Sequence, residues 1–427
     1  MRTRPLLGLL FGVVLLAGVP LGLRAMGSRA TAAPTEDLAL SKAKTAKPAQ
    51  AAPPVAPPFA GLDLRRITID DGGGEVTLAD GRVARLTVDA RLQRATETIL
   101  ERHQLDEAAV VAMDAATGEV LAWASRAKGH GRDLCCEATA PAASVFKVVT
   151  GSALVERAGV GPDTRECFAG GGEQRIVASD LVQDPLRDRW CVTLGSAMGK
   201  STNAVFARRA LRDLPRAGLE ETARALGFGE AIPFDVEVQK SELNVPAEDL
   251  PYARTAAGFW NTTLSPLHAA WLSATVAHQG EAMRPFIVRE LVDPQGKALY
   301  TAPAPAAVRR AIKPDTAAAV AQMMEHTVTE GTSFKAFHDA GGRPFLHGIA
   351  VAGKTGTLAE PKGDRLYTWF SAFAPVRPGP GERQIAVGVL VVNPPKWKVK
   401  ANVVAREVLE AWFYPNRPVA PATARKK

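Results

Sequence analysis

The stretch PAASVFKVVTGSALV, residues 141–155, places Ser144 three positions before Lys147 and follows both with an apolar run. Serine needs a base before it can act as a nucleophile at neutral pH. On a helix, residues three apart share a face, so the Lys147 amine can lie beside the Ser144 hydroxyl. Pro141 is expected to start this helix, with the macrodipole favouring developing negative charge at Ser144. The apolar run buries the helix, and desolvation helps to keep Lys147 neutral. The Ser-x-x-Lys spacing is weak alone: Ser41–Lys44 and Ser125–Lys128 also match. The first of these lies in an Ala/Pro-rich spacer and the second enters a glycine-rich loop, so neither opens an apolar helix.

Two further motifs follow in order. Ser201-Thr202-Asn203 sits in GSAMGKSTNAVFARRA, a turn opening an amphipathic helix. In isolation such a serine reads as a helix cap. In a reactive site, Ser201 would relay a proton to a leaving amine and Asn203 would bind a substrate amide. Lys354-Thr355-Gly356-Thr357 ends the strand-like GIAVAGKTGT. A cation and hydroxyls side by side suit a carboxylate, and glycine allows a substrate backbone to approach. Gly348 to Thr355 also satisfies GxxxxGKT. Its intervening residues are apolar, and no apolar helix follows, so the phosphate-loop context fails.

The surrounding pattern indicates the fold class. RITID and EVTLAD flank Gly72–Gly74 as a hairpin, ARLTVD adds a strand, and Arg91–His103 carries helical spacing. AAVVAMDAATGEVLAWAS, residues 108–125, reads as two strands around the turn Ala115–Gly118. From Pro141 to Gly331 the chain is largely helical. It then returns to strands in GIAVAGKTGT, YTWFSAFAPV and RQIAVGVLVV, with a last helix to Phe413 capped by Asn402. Strands at both ends and helices between them imply an α/β (α+β) fold: an antiparallel sheet flanked by helices, with an all-helical subdomain.

Together Ser144–Lys147, Ser201–Asn203 and Lys354–Gly356 resemble the motif set of the penicillin-binding transpeptidase domain, within the serine D,D-transpeptidase and β-lactamase-like superfamily, with Thr202 central in the second motif. LTVDARLQ, VVAMDAATGEVLAWAS, TLSPLHAAWLSATVAHQG and TEGTS look like family segments too, so the likeness runs from about Leu86 to Phe413. The resemblance implies a catalytic serine at Ser144 that attacks the carbonyl between two terminal D-alanines of a peptidoglycan stem peptide. It implies Lys147 as base, with Ser201 and Lys354 returning the proton. It also implies that backbone N–H groups of Ser144 and Thr357 form the oxyanion hole and that Lys354, Thr355 and Thr357 hold the substrate carboxylate, with Gly356 letting the substrate backbone approach. β-Lactams would acylate Ser144 covalently, and the acyl group would pass to an amine of a neighbouring strand or to water. The function expected is thus D,D-transpeptidation, with D,D-carboxypeptidase or β-lactamase as the alternative and a non-catalytic sensor or scaffold third. Against a β-lactamase, Lys240 stands where a glutamate would precede Asn244, and Asn203 stands where a valine is usual. Against a sensor, only four residues precede the apolar segment; against a scaffold, every motif residue is present.

The remaining chain sets the context. Residues 1–4 are a stub, 5–23 a transmembrane anchor, 24–61 an Ala/Pro-rich linker, 62–85 a short β region, 86–415 the transpeptidase-like domain, and 416–427 a tail. The anchor PLLGLLFGVVLLAGVPLGL has 19 uncharged residues, close to the roughly 20 that span a bilayer. The expected localisation is single-pass in the cytoplasmic membrane with the catalytic domain exported to the periplasm. The formal charge of +8 is spread along the chain, which argues against nucleic acid. No cofactor or metal is expected: the histidines His130, His268, His278, His326 and His347 lack ligand spacing. Export permits disulfides, and of Cys135, Cys136, Cys167 and Cys191 the pair Cys167–Cys191 is the candidate, with free buried thiols the alternative. Trp260, Trp271 and Trp369 are expected to pack, with Trp369 able to line the groove.

Overall fold

The computed structural model describes residues 58–70, 72–129, 131–170, 175–360, 363–394 and 398–417. The anchor, most of the linker, His130 and most of the tail lie outside the described residues. Among those described, no helix is long and apolar enough to cross a membrane.

Five strands build the main sheet: β1 (Glu107–Asp114), β2 (Val120–Ala127), β3 (Ala352–Ala359), β4 (Leu366–Ala374) and β5 (Ile385–Asn393), in the order β3-β4-β5-β1-β2. Every neighbouring pair is antiparallel. The β1–β2 hairpin turns where Asp114 Oδ1 accepts the backbone N–H groups of Ala116 and Thr117. Gly118 closes the turn at φ 79°. Side chains alternate across the sheet, as the strand period of two demands. On β1, Ala109, Val111 and Met113 join one apolar cluster, while Ala108, Val110 and Ala112 join another. Both faces are therefore buried, which is why these strands read as nearly unbroken apolar runs.

One face is covered by the helix Pro266–Ala277, whose N-cap Ser265 accepts from the His268 N–H at 3.1 Å. It lies so close to β5 that a Cβ on Gly388 would fall 2.2 Å from the Pro266 carbonyl oxygen. The helices Ala90–Arg102 and Ala401–Phe413 cover the opposite face. The helical subdomain includes Lys147–Ala158, Asn203–Asp213, Arg216–Ala225 and Asp249–Ala256, and it shares the first apolar cluster with the sheet. A second antiparallel sheet joins Thr68–Ile69, Gly74–Thr77 and Val83–Leu86 to Val288–Val292 and Ala298–Thr301. The expected boundary between residues 85 and 86 thus falls inside a strand that pairs with a distant segment.

Two local expectations are corrected. Pro141 starts no helix: Ala140–Pro141 is a short strand paired with Thr263–Leu264, and the helix begins at Lys147 after a 3-10 turn at Ala143–Phe146. Asn402 is not the cap of the last helix. Lys400 holds that position, and Asn402, inside the first turn, donates its amide to Ser333 Oγ at 3.0 Å. Cys167 and Cys191 are disulfide-bonded partners across the hairpin Arg165–Phe168 and Trp190–Thr193, whereas Cys135 and Cys136 are free thiols.

Candidate active site

Three segments converge on Ser144. The chain entering it is held by the Ala140–Pro141 pairing, and Trp369 Nε1 of β4 donates to the Pro141 carbonyl at 2.8 Å. Ala143 then turns at φ 50°, a left-handed conformation that costs a non-glycine residue about 1–2 kcal/mol. Two glycines let neighbouring backbones close on this turn. A Cβ on Gly258, itself at φ 85°, would lie 2.4 Å from the Ala143 carbonyl oxygen and 2.9 Å from Ser144 Cα. A Cβ on Gly356 of β3 would lie 3.2 Å from both the Ala142 oxygen and Ala143 Cβ. The turn carrying Ser144 is wedged between them.

Lys147 is fully buried, and its Nζ lies 2.8 Å from Ser144 Oγ, 2.7 Å from Asn203 Oδ1 and 2.5 Å from the Ala257 carbonyl oxygen. Burial, and then the charge of Lys354, hold its pKa well below the ordinary lysine range. A neutral amine has two protons and one lone pair. Asn203 Oδ1 and the Ala257 oxygen can only accept, so they take both protons and leave the lone pair for the Ser144 hydroxyl.

Lys354 is also fully buried, on β3, and donates to Ser201 Oγ and to the Thr355 carbonyl, both at 3.0 Å. Desolvation lowers its pKa to about 7. Ser201 occupies the left-handed cap (φ 58°) of the helix Leu194–Lys200 rather than the N-cap of the next helix; Thr202 holds that position. The strand alternation turns Thr355 and Thr357 outward and Lys354 and Gly356 inward.

Ser144, Ser201, Asn203, Thr355, Gly356 and Thr357 line one cleft of about 750 Å³. Lys147 and Lys354 lie behind that lining. All the motif residues therefore meet in one place, although the lysines are 207 positions apart. Lys354, expected to hold a carboxylate, is 0% exposed, and its Nζ meets Ser201 Oγ and the Thr355 carbonyl.

Further residues border the site, and one of them, Thr332, has no motif of its own in the sequence. Thr332 Oγ1 lies 2.7 Å from Thr355 Oγ1 and ties β3 to the Gly199 carbonyl. It falls within TEGTS, whose sequence is distinctive, whereas the contact with Thr355 depends on the fold. Trp369 packs, being 1% exposed, and also borders the cleft. Trp260 departs from the packing expectation: it is 40% exposed and lines the cleft wall. Among the described residues, no group of three or more His, Cys, Asp or Glu side chains could hold a metal.

Comparison with known proteins agrees with this geometry. Peptidoglycan D,D-transpeptidase PbpA of Mycolicibacterium smegmatis is 28% identical over 262 residues, 59% of this chain and 50% of that protein. PbpA of Mycobacterium tuberculosis strain H37Rv is 26% identical over 343 residues, 72% of this chain and 66% of that protein. The chain thus spans about half to two thirds of the length of these curated relatives. Among solved structures, the M. tuberculosis penicillin-binding protein A imipenem acyl-enzyme complex superposes with a TM-score of 0.64 at 24% identity, covering 80% of each chain. A D,D-transpeptidase domain from Eggerthella lenta gives 0.63 at 23% identity, covering 81% of this chain and 88% of that one. These two show the fold. The model of the penicillin binding protein transpeptidase domain matches residues 108–410, from the first strand of the main sheet into the last helix, and so includes all three motifs. The chain belongs to the penicillin-binding protein transpeptidase domain family.

Proposed function

We propose that this protein is a serine D,D-transpeptidase acting on D-Ala-D-Ala stem peptides of peptidoglycan. The observation that carries the reading is the Lys147 amine, desolvated and with its lone pair left for the Ser144 hydroxyl. Lys147 takes the hydroxyl proton as Ser144 Oγ attacks the carbonyl between the two D-alanines. The oxyanion is met by backbone N–H groups of Ser144 and Thr357, donors of a kind worth about 3–4 kcal/mol each in acyl-transfer enzymes. Thr355 and Thr357 present hydroxyls to the substrate carboxylate, and Ser201 passes a proton to the leaving amine with Lys354 behind it. An amine of a second stem peptide then takes the acyl group, releasing Ser144. Transfer to water would make the same site a carboxypeptidase. β-Lactams would acylate the same oxygen, and the acyl-enzyme structure of the M. tuberculosis relative supports this. The apolar segment at residues 5–23 supports a membrane-anchored chain with its catalytic domain outside the cytoplasm.

The test is incubation of the purified protein with a labelled penicillin. Wild type should form a stable covalent adduct and Ser144→Ala none. An adduct that survives in Ser144→Ala would remove the assignment.

A further inference from the structure

Beside the catalytic cleft lies a second cavity of about 390 Å³, and Trp260 lines both. Three chain segments build it. Thr139 and Pro141 belong to the stretch entering the Ser144 turn, and Trp260 to Thr263 follow Gly258, which presses on that turn. Glu242 to Asn244 join through the Leu243–Thr262 bridge and a 2.8 Å hydrogen bond from the Glu242 N–H to Thr263 Oγ1. The cavity is thus fixed to the same backbone that positions the nucleophile.

Its chemistry contrasts with the rest of the surface. The chain carries a formal charge of +8, and the catalytic cleft itself is bordered by Lys200 and Lys400. Among the described residues, no lysine, arginine or histidine lines the second cavity, and its one charged residue is Glu242. The Glu242 side chain is exposed and makes no ion pair among the described residues. Oxygen acceptors accompany it. Asn261 spends an amide N–H on Thr255 Oγ1 at 2.8 Å, which leaves its carbonyl oxygen to accept. The Thr262 hydroxyl is buried behind the lining and has no hydrogen-bond partner among the described residues. Trp260, 40% exposed, lines the cavity with an aromatic side chain of the kind that packs on an alkyl chain or attracts a cation.

We propose that this cavity is a subsite for an ammonium group on an alkyl side chain of the stem peptide, with Glu242 as counter-ion and Trp260 as the wall along which the alkyl chain lies. The inference rests on the acyl-transfer function proposed above. A diamino-acid side chain has this chemistry in either strand that visits the site: the donor, whose amine is a recognition handle, or the acceptor, whose amine is the incoming nucleophile.

Two arms separate these sources. In the donor arm, acylation is measured with a stem pentapeptide ending in D-Ala-D-Ala whose third residue is lysine, its side-chain amine free or acetylated. Wild type is expected to prefer the free amine about tenfold in kcat/KM, equivalent to about 1.4 kcal/mol. Glu242→Gln should bring the ratio close to one and Glu242→Lys should reverse it. The ratio is internal to each protein, so a variant that is merely less stable leaves it unmoved. In the acceptor arm, the acyl-enzyme from a small thioester donor is partitioned between water and a lysine-bearing tetrapeptide. If the acceptor is the source, Glu242→Gln raises the acceptor concentration needed for half-maximal aminolysis about tenfold. A donor ratio and an acceptor KM that both stay within twofold of wild type in Glu242→Gln would overturn the inference. Absence of a penicillin adduct on wild-type Ser144 would instead overturn the acyl-transfer reading, so the two failures are distinguishable.

Discussion

Lys147 and Lys354 are both buried amines with depressed pKa values, yet their neighbours assign them different work. Lys147 faces two obligate acceptors and a hydroxyl, so its neutral form is the useful one. Lys354 donates to Ser201 Oγ and to a backbone carbonyl, so its charged form is the useful one. The pH dependence of peptide acylation follows. On the acid side kcat/KM falls as Lys147 takes up a proton. On the alkaline side it falls as Lys354, with its pKa near 7, loses one. Because kcat/KM reports the free enzyme, its alkaline inflection is expected near pH 7. Lys354→Arg keeps the positive charge to far higher pH, so that variant, even if slower, should lose the inflection. A profile in which both proteins fall together near pH 7 would show that another group titrates. Lys147→Ala removes the amine beside Ser144 Oγ, and with it the proposed base, so acylation should slow by about 10²–10⁴-fold.

The turn carrying Ser144 is shaped less by its own residues than by the two glycine-bearing segments packed against it. Gly258 is the sharper case, since both its positive φ and the nearby Ala143 carbonyl exclude a side chain. Gly258→Ala should therefore destabilise the protein by about 1–3 kcal/mol and reduce penicillin acylation by more than the lost stability explains. Thermal unfolding and stopped-flow acylation measured on the same sample would check this. Normal acylation would show that the turn tolerates the shift. The same turn marks where sequence stops being informative. The strands and the i, i+3 spacing of Ser144 and Lys147 are legible, because apolar runs bounded by turn residues and the helical repeat are local properties. Pro141 was misread because Pro followed by an apolar run looks like a helix start, and only the distant Thr263–Leu264 segment makes it a strand. Asn402 has the chemistry of a cap, but Ser333, 69 positions away, takes its amide. Ala257 acts through its carbonyl oxygen alone, which no side-chain pattern can announce.

The fold joins distant segments and buries two amines whose desolvation opposes folding. The main sheet has strands from both sides of the helical subdomain, and the shared apolar cluster spans sheet and helices. That cluster must offset the burial of two amines placed near enough for one to depress the other. For Lys354 the sign can be worked out. Its pKa is about 7 folded, against an ordinary lysine value of 10.5. Between those limits the unfolded chain binds more protons, so stability rises with pH across that window. Below about pH 7 both states are protonated and the full burial penalty remains. Lys354→Met removes this dependence, at the cost of the hydrogen bonds to Ser201 and Thr355. Stability by urea denaturation at several pH values should thus favour Lys354→Met most at pH 6. The difference should shrink, by about 2–5 kcal/mol in all, as the pH approaches 10. Comparing the two proteins cancels the other titrating groups they share, apart from Lys147, whose pKa the Lys354 charge lowers. A difference that stays flat with pH would mean that Lys354 is not desolvated in solution, and the alkaline limb of acylation would then need a different owner. If the difference does shrink, and Lys354→Met also fails to acylate, then the ammonium that supports Ser201 is one whose burial weakens the fold.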